Sequence, residues 1–122
     1  MNNEYLIEKI VAITEKTKED KISWSMTNAQ TMIWVKTEKN MAQTYTLTIQ
    51  SQPKAAYNRQ QHMHLENFTF TFQSARPNQV LLQLNSSIDP TLKHYLANLF
   101  HESQASAKRI TAKLLEMIIE DL

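Results

Sequence analysis

The spacing of apolar and polar residues changes twice along the chain, from helical to strand-like and back to helical. Over residues 4–18 the apolar positions recur every three or four residues, which predicts an amphipathic helix. The polar run KTKEDK follows and is expected to end this helix. The apolar stripe of the helix contains Tyr5, Leu6, Ile10 and Ile13, and it is widened by Ile7 and Val11.

Five segments then alternate apolar and polar residues with the period of two that is typical of β-strands. In sequence letters they are KISWSM, TMIWVKTE, TYTLTIQ, FTFTFQ and QVLLQLN. Most have a polar second face, which predicts an antiparallel sheet with one face on a core and the other in water. The second segment is apolar on both faces and is therefore expected to lie centrally. The predicted core residues are Trp24, Tyr45, Leu47, Phe68, Phe70, Phe72 and Leu82.

After the fifth segment the spacing becomes helical again. Asp89 followed by Pro90 is the pairing of an N-cap residue with a first-turn proline that opens many helices. Apolar residues then recur from Leu92 to Ile118, but the polar run HESQAS interrupts them at residues 101–106. We expect a bend or a break there, and one long helix is the alternative.

This order of elements predicts the fold class. The helices cannot lie within the sheet, so they are expected to cover its apolar face. The result is a two-layer α+β domain: an antiparallel sheet of about five strands, with an N-terminal helix and a C-terminal helix or helix pair packed on one face. The length of 122 residues and the hydrophobic content of 42% fit a single globular domain over residues 1–122.

The chain contains no glycine and no cysteine, and these absences exclude several kinds of site. Phosphate-binding loops, dinucleotide fingerprints and the nucleophile elbow all need glycine, because the backbone turns sharply or approaches an anion closely. Without cysteine there are no disulfides, thiolate nucleophiles or zinc–sulfur sites. No other motif ties catalytic groups together. The sequence therefore predicts no catalytic residue, no cofactor and no enzyme activity.

The stretch YNRQQHMH, residues 57–64, most resembles a site and is expected in a polar connection between the third and fourth strands. His62 and His64 would share one side of a strand, but only Glu66 is a nearby third ligand, so we predict no metal site. The net charge of +1 gives no general field for nucleic acid. Nucleic-acid binding through the basic polar segment 54–64 remains the alternative, with contacts from Lys54, Tyr57, Arg59, His62, His64 and Arg76.

The hydropathy of the chain also bears on its location. No apolar run approaches the ~20 residues needed to span a membrane. The N-terminal MNNEYLIEKIVAITEK has acidic residues within its apolar positions and does not resemble a signal peptide. We therefore expect a cytoplasmic protein without a membrane partner.

Two longer stretches carry a resemblance to known proteins. With the strands between them, LIEKIVAITEKTKEDKISW and LKHYLANLFHESQASAKRITAKLLEMIIEDL resemble small, largely uncharacterised bacterial proteins, several of them from prophages and other mobile elements. This resemblance implies a helix, an antiparallel sheet and a closing helix pair, and it implies no reaction. The chain is also similar to type III secretion chaperones, which are small dimeric α+β proteins. Those tend to be acidic and usually have a helix where this chain has its basic polar connection.

The terminal helices carry more apolar surface than a helix on a sheet requires. On a helical wheel the apolar arc of the C-terminal segment covers about 200°, whereas about 100° is enough for packing on a sheet. The alternative is that the two helices cover each other within one chain and need no partner. We expect a non-catalytic protein–protein interaction or accessory module, a homodimer or bound to another protein. The predicted contact residues are Leu115, Ile119, Leu122, Ile7 and Val11.

Overall fold

The computed structural model describes residues 3–52 and 66–122, apart from the side chain of Met41. Within these residues, two α-helices accompany one five-stranded antiparallel sheet, which confirms the predicted α+β class. Helix α1 spans Asn3–Lys18, and helix α2 spans Lys93–Glu120. The strands are β1 Ser25–Asn28, β2 Thr31–Glu38, β3 Gln43–Gln52, β4 Asn67–Ala75 and β5 Asn78–Asn85.

The sheet is a meander in which the strands lie in chain order, so β3 occupies the middle. Strand β2 is paired on both sides, with β1 and with β3, but it is not the central strand. Its two apolar faces differ in environment, since Met32 is fully buried and Val35 on the opposite face is exposed. Apolar residues on both faces of this segment therefore indicated an interior strand, which β2 is, although β3 lies in the middle.

Cross-strand rows of apolar residues form the inner face of the sheet. The first row runs across β2 to β5 through Met32, Ile49, Phe70 and Leu84, all of them buried. A second row, parallel to it, contains Trp34, Leu47, Phe72 and Leu82. The alternate residues of the same strands are mostly threonine and glutamine and form the outer face. The alternation in the sequence thus gives the correct faces for β2 to β4 and for Leu82 and Leu84 of β5. It fails at Val80, which pairs with Gln73 on the outer face because the register shifts by one residue there.

The helices cover this inner face and complete one core. Leu96, Leu99 and Phe100 of α2 join the core, and the rings of Phe68 and Phe100 lie 5.7 Å apart. Helix α1 contributes Leu6 and Ile10. Of the predicted core residues, Trp24, Leu47, Phe68 and Phe70 are buried and Phe72 and Leu82 pack against them; Tyr45 is half-buried, with its ring 5.4 Å from that of Phe72.

The expected break at residues 101–106 is wrong, because α2 runs through this stretch as a single helix. Ser103 and Ser106 lie on the buried face of the helix and are fully buried. Their small side chains let the helix lie close to its neighbours, and their hydroxyls are satisfied. Ser103 Oγ donates to the carbonyl oxygen of Phe100 at 2.7 Å, and Ser106 Oγ donates to Asp20 Oδ1 at 2.7 Å.

The first predicted strand begins later than expected. Ile22 and Trp24 are buried, but they precede β1, which starts at Ser25. The indole Nε1 of Trp24 donates to Thr17 Oγ1 at 3.0 Å, and the Trp24 and Trp34 rings lie 6.3 Å apart. This hydrogen bond ties the connection to α1, so the alternation in KISWSM reflects burial in a connection more than strand pairing.

Candidate functional site

The C-terminal part of α2 extends beyond the body of the protein. Ser106 is the last fully buried residue and Ile110 the last partly buried one, and every residue from Thr111 to Leu122 is exposed. We call residues 111–122 the projecting segment. Its large apolar side chains are each more than half exposed: Leu114, Leu115, Met117, Ile118, Ile119 and Leu122.

The two helices run in the same direction, and this arrangement explains where the projecting segment begins. At the start of α1, Asn3 Nδ2 donates to Asp89 Oδ2, just before α2. At its end, Asp20 contacts Ser106 and Arg109. Helix α1 has 16 residues and α2 has 28, so α2 is longer by about 18 Å at ~1.5 Å per residue. Beyond Arg109, α2 continues without α1 beside it.

The apolar stripe of α2 does not end where its burial ends. On a helical wheel, Leu114, Met117 and Ile118 continue the face that buries Leu96 and Leu99. Leu115, Ile119 and Leu122 lie on the adjoining flank. The projecting segment therefore presents a core-like helix face with none of the described elements covering it.

Asp20 fixes the base of the projecting segment. Arg109 donates to both of its carboxylate oxygens, from Nη2 to Oδ1 at 2.8 Å and from Nε to Oδ2 at 3.2 Å. These bonds are the main reason that the pKa of the Asp20 carboxyl lies below its usual value, and the hydroxyl of Ser106 adds to the effect. The same pairing raises the pKa of the Arg109 guanidinium.

The backbone at Asp20 is also unusual, with a left-handed φ of 58°. The amide of Asp20 donates to Thr17 O at 3.0 Å and that of Lys21 to Lys16 O at 3.0 Å, which is the Schellman end of a helix. Glycine normally occupies this position, but the chain has none. Aspartate tolerates the left-handed region better than most residues. The sequence analysis did not single out Asp20. The feature that could have identified it is an aspartate directly after a predicted helix in a chain with no glycine to end that helix.

A groove lies next to the base of the projecting segment. It has a volume of about 700 Å³ and runs between the start of β1 and the flank of α2. Met26 on one side and Leu115 on the other are both about half exposed. The lining residues are Trp24, Ser25, Met26, Ala107, Lys108, Thr111, Ala112 and Leu115.

Charge is segregated along this end of α2. Lys108, Arg109 and Lys113 lie at its base, whereas Glu116, Glu120 and Asp121 lie towards its tip. The last turn of the helix contains no basic residue. Carboxylates at a helix C-terminus face the negative end of the helix dipole, which is unfavourable unless a cation approaches from elsewhere.

The structure separates the predicted contact residues into two places. Leu115, Ile119 and Leu122 lie on the projecting segment and are exposed. Val11 of α1 is exposed but lines a small surface depression with Tyr95 and Asn98, about 25–30 Å along α2 from Leu115 at ~1.5 Å per residue. Ile7 is half-buried and packs against the core. Ile7 and Val11 therefore do not form one surface with the projecting segment.

A second apolar groove lies between α1 and strands β3 to β5. Its volume is about 340 Å³, and its lining includes Leu6, Ile10, Phe70, Phe72 and Leu84. Nearly all of these residues belong to the core or pack against it. The groove is thus an incompletely filled edge of the core beneath α1.

Most residues of the nucleic-acid alternative lie outside the described residues: Lys54, Tyr57, Arg59, His62 and His64. Arg76 is described and is exposed between β4 and β5. Its backbone is held by the side chain of Gln43, which donates to Arg76 O at 2.6 Å and accepts from Arg76 N at 2.9 Å. The carboxylate of Glu66 accepts a hydrogen bond from Ser51.

A metal-binding cluster and a membrane-spanning helix are both absent from the described residues. Over residues 3–52 and 66–122, no cluster of His, Asp or Glu side chains is suitable for holding a metal ion. In the same part of the chain, neither helix has the length and apolar character needed to cross a membrane.

The chain was also compared with known proteins. A scan against protein-family models, a search of curated proteins and a search of solved structures each found no match to this chain.

Proposed function

We propose that this protein is a non-catalytic interaction module that binds protein through the projecting segment of α2. The observation that carries the proposal is the group of six large apolar side chains, each more than half exposed, on one uncovered helix segment. Monomeric proteins rarely keep contiguous apolar patches of more than a few hundred Å² in water. A preformed amphipathic helix is also a common element of protein recognition.

The exposed apolar side chains supply part of the free energy that binding a partner requires. Complete burial of a Leu, Ile or Met side chain contributes about 1.5–3 kcal/mol, so a half-exposed one still offers about 1 kcal/mol. Six such side chains offer about 6 kcal/mol, near the lower end of the ~4–15 kcal/mol cost of association. A partner must therefore supply apolar surface of its own or matching charge.

The charges on the segment favour protein over a membrane surface. Helices that lie on membranes usually carry lysine and arginine on the polar face, which attract anionic lipids. Here Glu116, Glu120 and Asp121 lie near the tip, among the exposed apolar residues. Anionic headgroups would repel that part of the segment.

An affinity experiment from the source cells tests the proposal. The wild-type protein and the variant Leu115→Glu/Ile119→Glu are compared with the control Val35→Glu/Val80→Glu, which alters two equally exposed apolar residues on the sheet. We expect partner protein on the wild type and the control and its loss on the first variant, with unchanged circular dichroism. Identical bound proteins on all three baits would contradict the proposal.

Two sequence-based expectations stay predictions. The cytoplasmic location is part of this proposal and is tested by fractionation of the source cells. Nucleic-acid binding is not proposed as a second function, because Arg76 is its only contact residue within the described part of the chain. A titration with mixed oligonucleotides at two salt concentrations tests it directly.

A further inference from the structure

We infer that the occupant of the projecting segment is the same segment of a second copy, packed antiparallel about a two-fold axis between Glu116 and Met117. This inference rests on the proposed function and names the partner. In such an isologous pair each contact occurs twice, with residue i of one copy against residue j of the other and the reverse. This centre places Leu115 opposite Ile118, and the two lie about 60° apart on the helical wheel.

Charge complementarity favours the antiparallel direction. With this centre, Lys113 of one copy lies opposite Glu120 of the other. The helical wheel places these two residues about 20° apart, so both lie at the same edge of the apolar face. In an antiparallel two-fold pair, this edge of one helix lies beside the same edge of the other helix. Lys113 of each copy therefore lies beside Glu120 of the other. A parallel pair would place the basic bases together and the acidic tips together.

The dipole of α2 gives the same preference. Glu120 and Asp121 lie at the C-terminus of a helix whose last turn has no basic residue. In the antiparallel pair the basic base of the second copy lies beside this acidic tip. Both the side-chain charges and the negative helix end are then compensated by the partner.

The groove at the base of the segment gives the tip of the partner a place to bind. Leu122 is fully exposed and apolar. The same centre places it opposite Thr111 of the second copy, which lines the groove together with Trp24 and Met26. Residue 111, where the body of one copy ends, lies opposite residue 122, the tip of the other copy. The two projecting segments therefore overlap along their whole length, and the two bodies do not touch. The overlap of about 18 Å and the two grooves suit a small interface of about 1,200 Å² and a micromolar Kd.

Sedimentation equilibrium of the full chain, with charge variants, tests this inference. We expect a dimer, at least ~10-fold weaker for Lys113→Glu or for Glu120→Lys alone, because each places like charges together. The double variant Lys113→Glu/Glu120→Lys should return to within ~3-fold of the wild type. The control Lys36→Glu, an exposed lysine on β2, should have no effect. A wild-type monomer at ~100 µM, or a double variant no better than the singles, would overturn the inference.

Cysteine crosslinking tests the direction of pairing, since the native chain has no cysteine. Met117→Cys lies near the two-fold axis and should form a disulfide dimer under mild oxidation. Leu122→Cys should not, because the antiparallel pair holds its two copies about 16 Å apart along the axis at ~1.5 Å per residue. Crosslinking of Leu122→Cys in preference to Met117→Cys would indicate a parallel pair and overturn the inference. A monomer that still captures a different protein through Leu115 and Ile119 would also overturn it, while leaving the proposed function intact.

Discussion

The guanidinium of Arg109 donates to both carboxylate oxygens of Asp20, at 2.8 and 3.2 Å, and so joins the end of α1 to α2 at the point where α2 leaves the body. Ser106 donates to the same carboxylate from one turn earlier in α2. The Asp20 side chain is only 21% exposed. This group of three residues therefore sets both the position of the two helices and the start of the projecting segment.

Removing the charge of Asp20 should lower stability in a pH-dependent way. In the folded protein its pKa lies below the unfolded value, mainly because of Arg109. The carboxylate therefore stabilises the fold above about pH 4, and this contribution is lost as pH falls through the lower folded-state pKa. Asp20→Asn keeps a residue that tolerates positive φ and should lower Tm at pH 7.

Thermal unfolding at pH 7 and pH 3 measures this effect. The difference in Tm between the wild type and Asp20→Asn should shrink at pH 3, which lies below the ordinary pKa of aspartate, because protonation of Asp20 in the unfolded chain then reduces the contribution of the carboxylate. Glu15→Gln, which alters an exposed carboxylate that pairs with the exposed Lys18, serves as the control and should change Tm little at either pH. A constant difference for Asp20→Asn across this pH range would contradict the role given to the ion pair.

Replacing Ala42 with glycine should stabilise the protein. Ala42 has a φ of 49° and ψ of 40° after the short 3-10 turn Lys39–Met41. A side chain in the left-handed region costs about 1–2 kcal/mol, which glycine avoids. Glycine also raises the conformational entropy of the unfolded chain, which lowers the stability by about 0.4–1 kcal/mol. We expect a net gain of about 0.5–1 kcal/mol in urea unfolding. Ala12→Gly in the exposed middle of α1 should instead lose about 1 kcal/mol, and similar signs for the two variants would be inconsistent with this backbone geometry.

Truncating Phe70 should destabilise the protein strongly. Phe70 is 3% exposed and lies between Ile49 and Leu84 on the inner face of the sheet. Phe70→Ala should cost about 3–5 kcal/mol in chemical denaturation, whereas Val35→Ala on the exposed outer face should stay within about 0.5–1 kcal/mol. Equal effects of the two substitutions would mean that the sheet faces are assigned the wrong way round.

Enlarging Ser103 should show why α2 needs small residues where it crosses the core. Ser103 is fully buried, and its hydroxyl is bonded within its own helix to Phe100 O. Ser103→Leu should cost about 1–3 kcal/mol through overpacking. Ser103→Ala should change the free energy of unfolding little. It removes the hydroxyl donor, but the Phe100 carbonyl still accepts a hydrogen bond within the helix. Urea unfolding distinguishes these outcomes, and a stable Ser103→Leu would mean that the site has spare volume.

The sequence predicted the sheet well because its signals are local. Phe68, Phe70 and Phe72 alternate with threonines, and a period of two specifies a strand face without knowledge of its neighbours. The break expected in α2 failed for the opposite reason. Polarity alone suggested that HESQAS lies in water, whereas Ser103 and Ser106 are buried because their size suits close packing.

The candidate site could be predicted only in part. The wheel identified Leu115, Ile119 and Leu122 as surplus apolar surface, and they are exposed. It could not place Val11 far from them, because that separation depends on how α1 lies along α2. The alignment is set by contacts of Asn3 with Asp89 and of Asp20 with Arg109, across 86 and 89 residues of sequence. No periodicity within one element contains that information.

The pairing of α1 with α2 also bears on how the chain folds during synthesis. The contacts of Asp20 span 86 residues to Ser106 and 89 to Arg109, and contacts of such long range form slowly. Until α2 has left the ribosome, the inner face of the sheet lacks Leu96, Leu99 and Phe100. Between the synthesis of β4 and the docking of α2, Phe68, Phe70 and Phe72 are therefore exposed to solvent, and in this interval such surfaces are prone to aggregation.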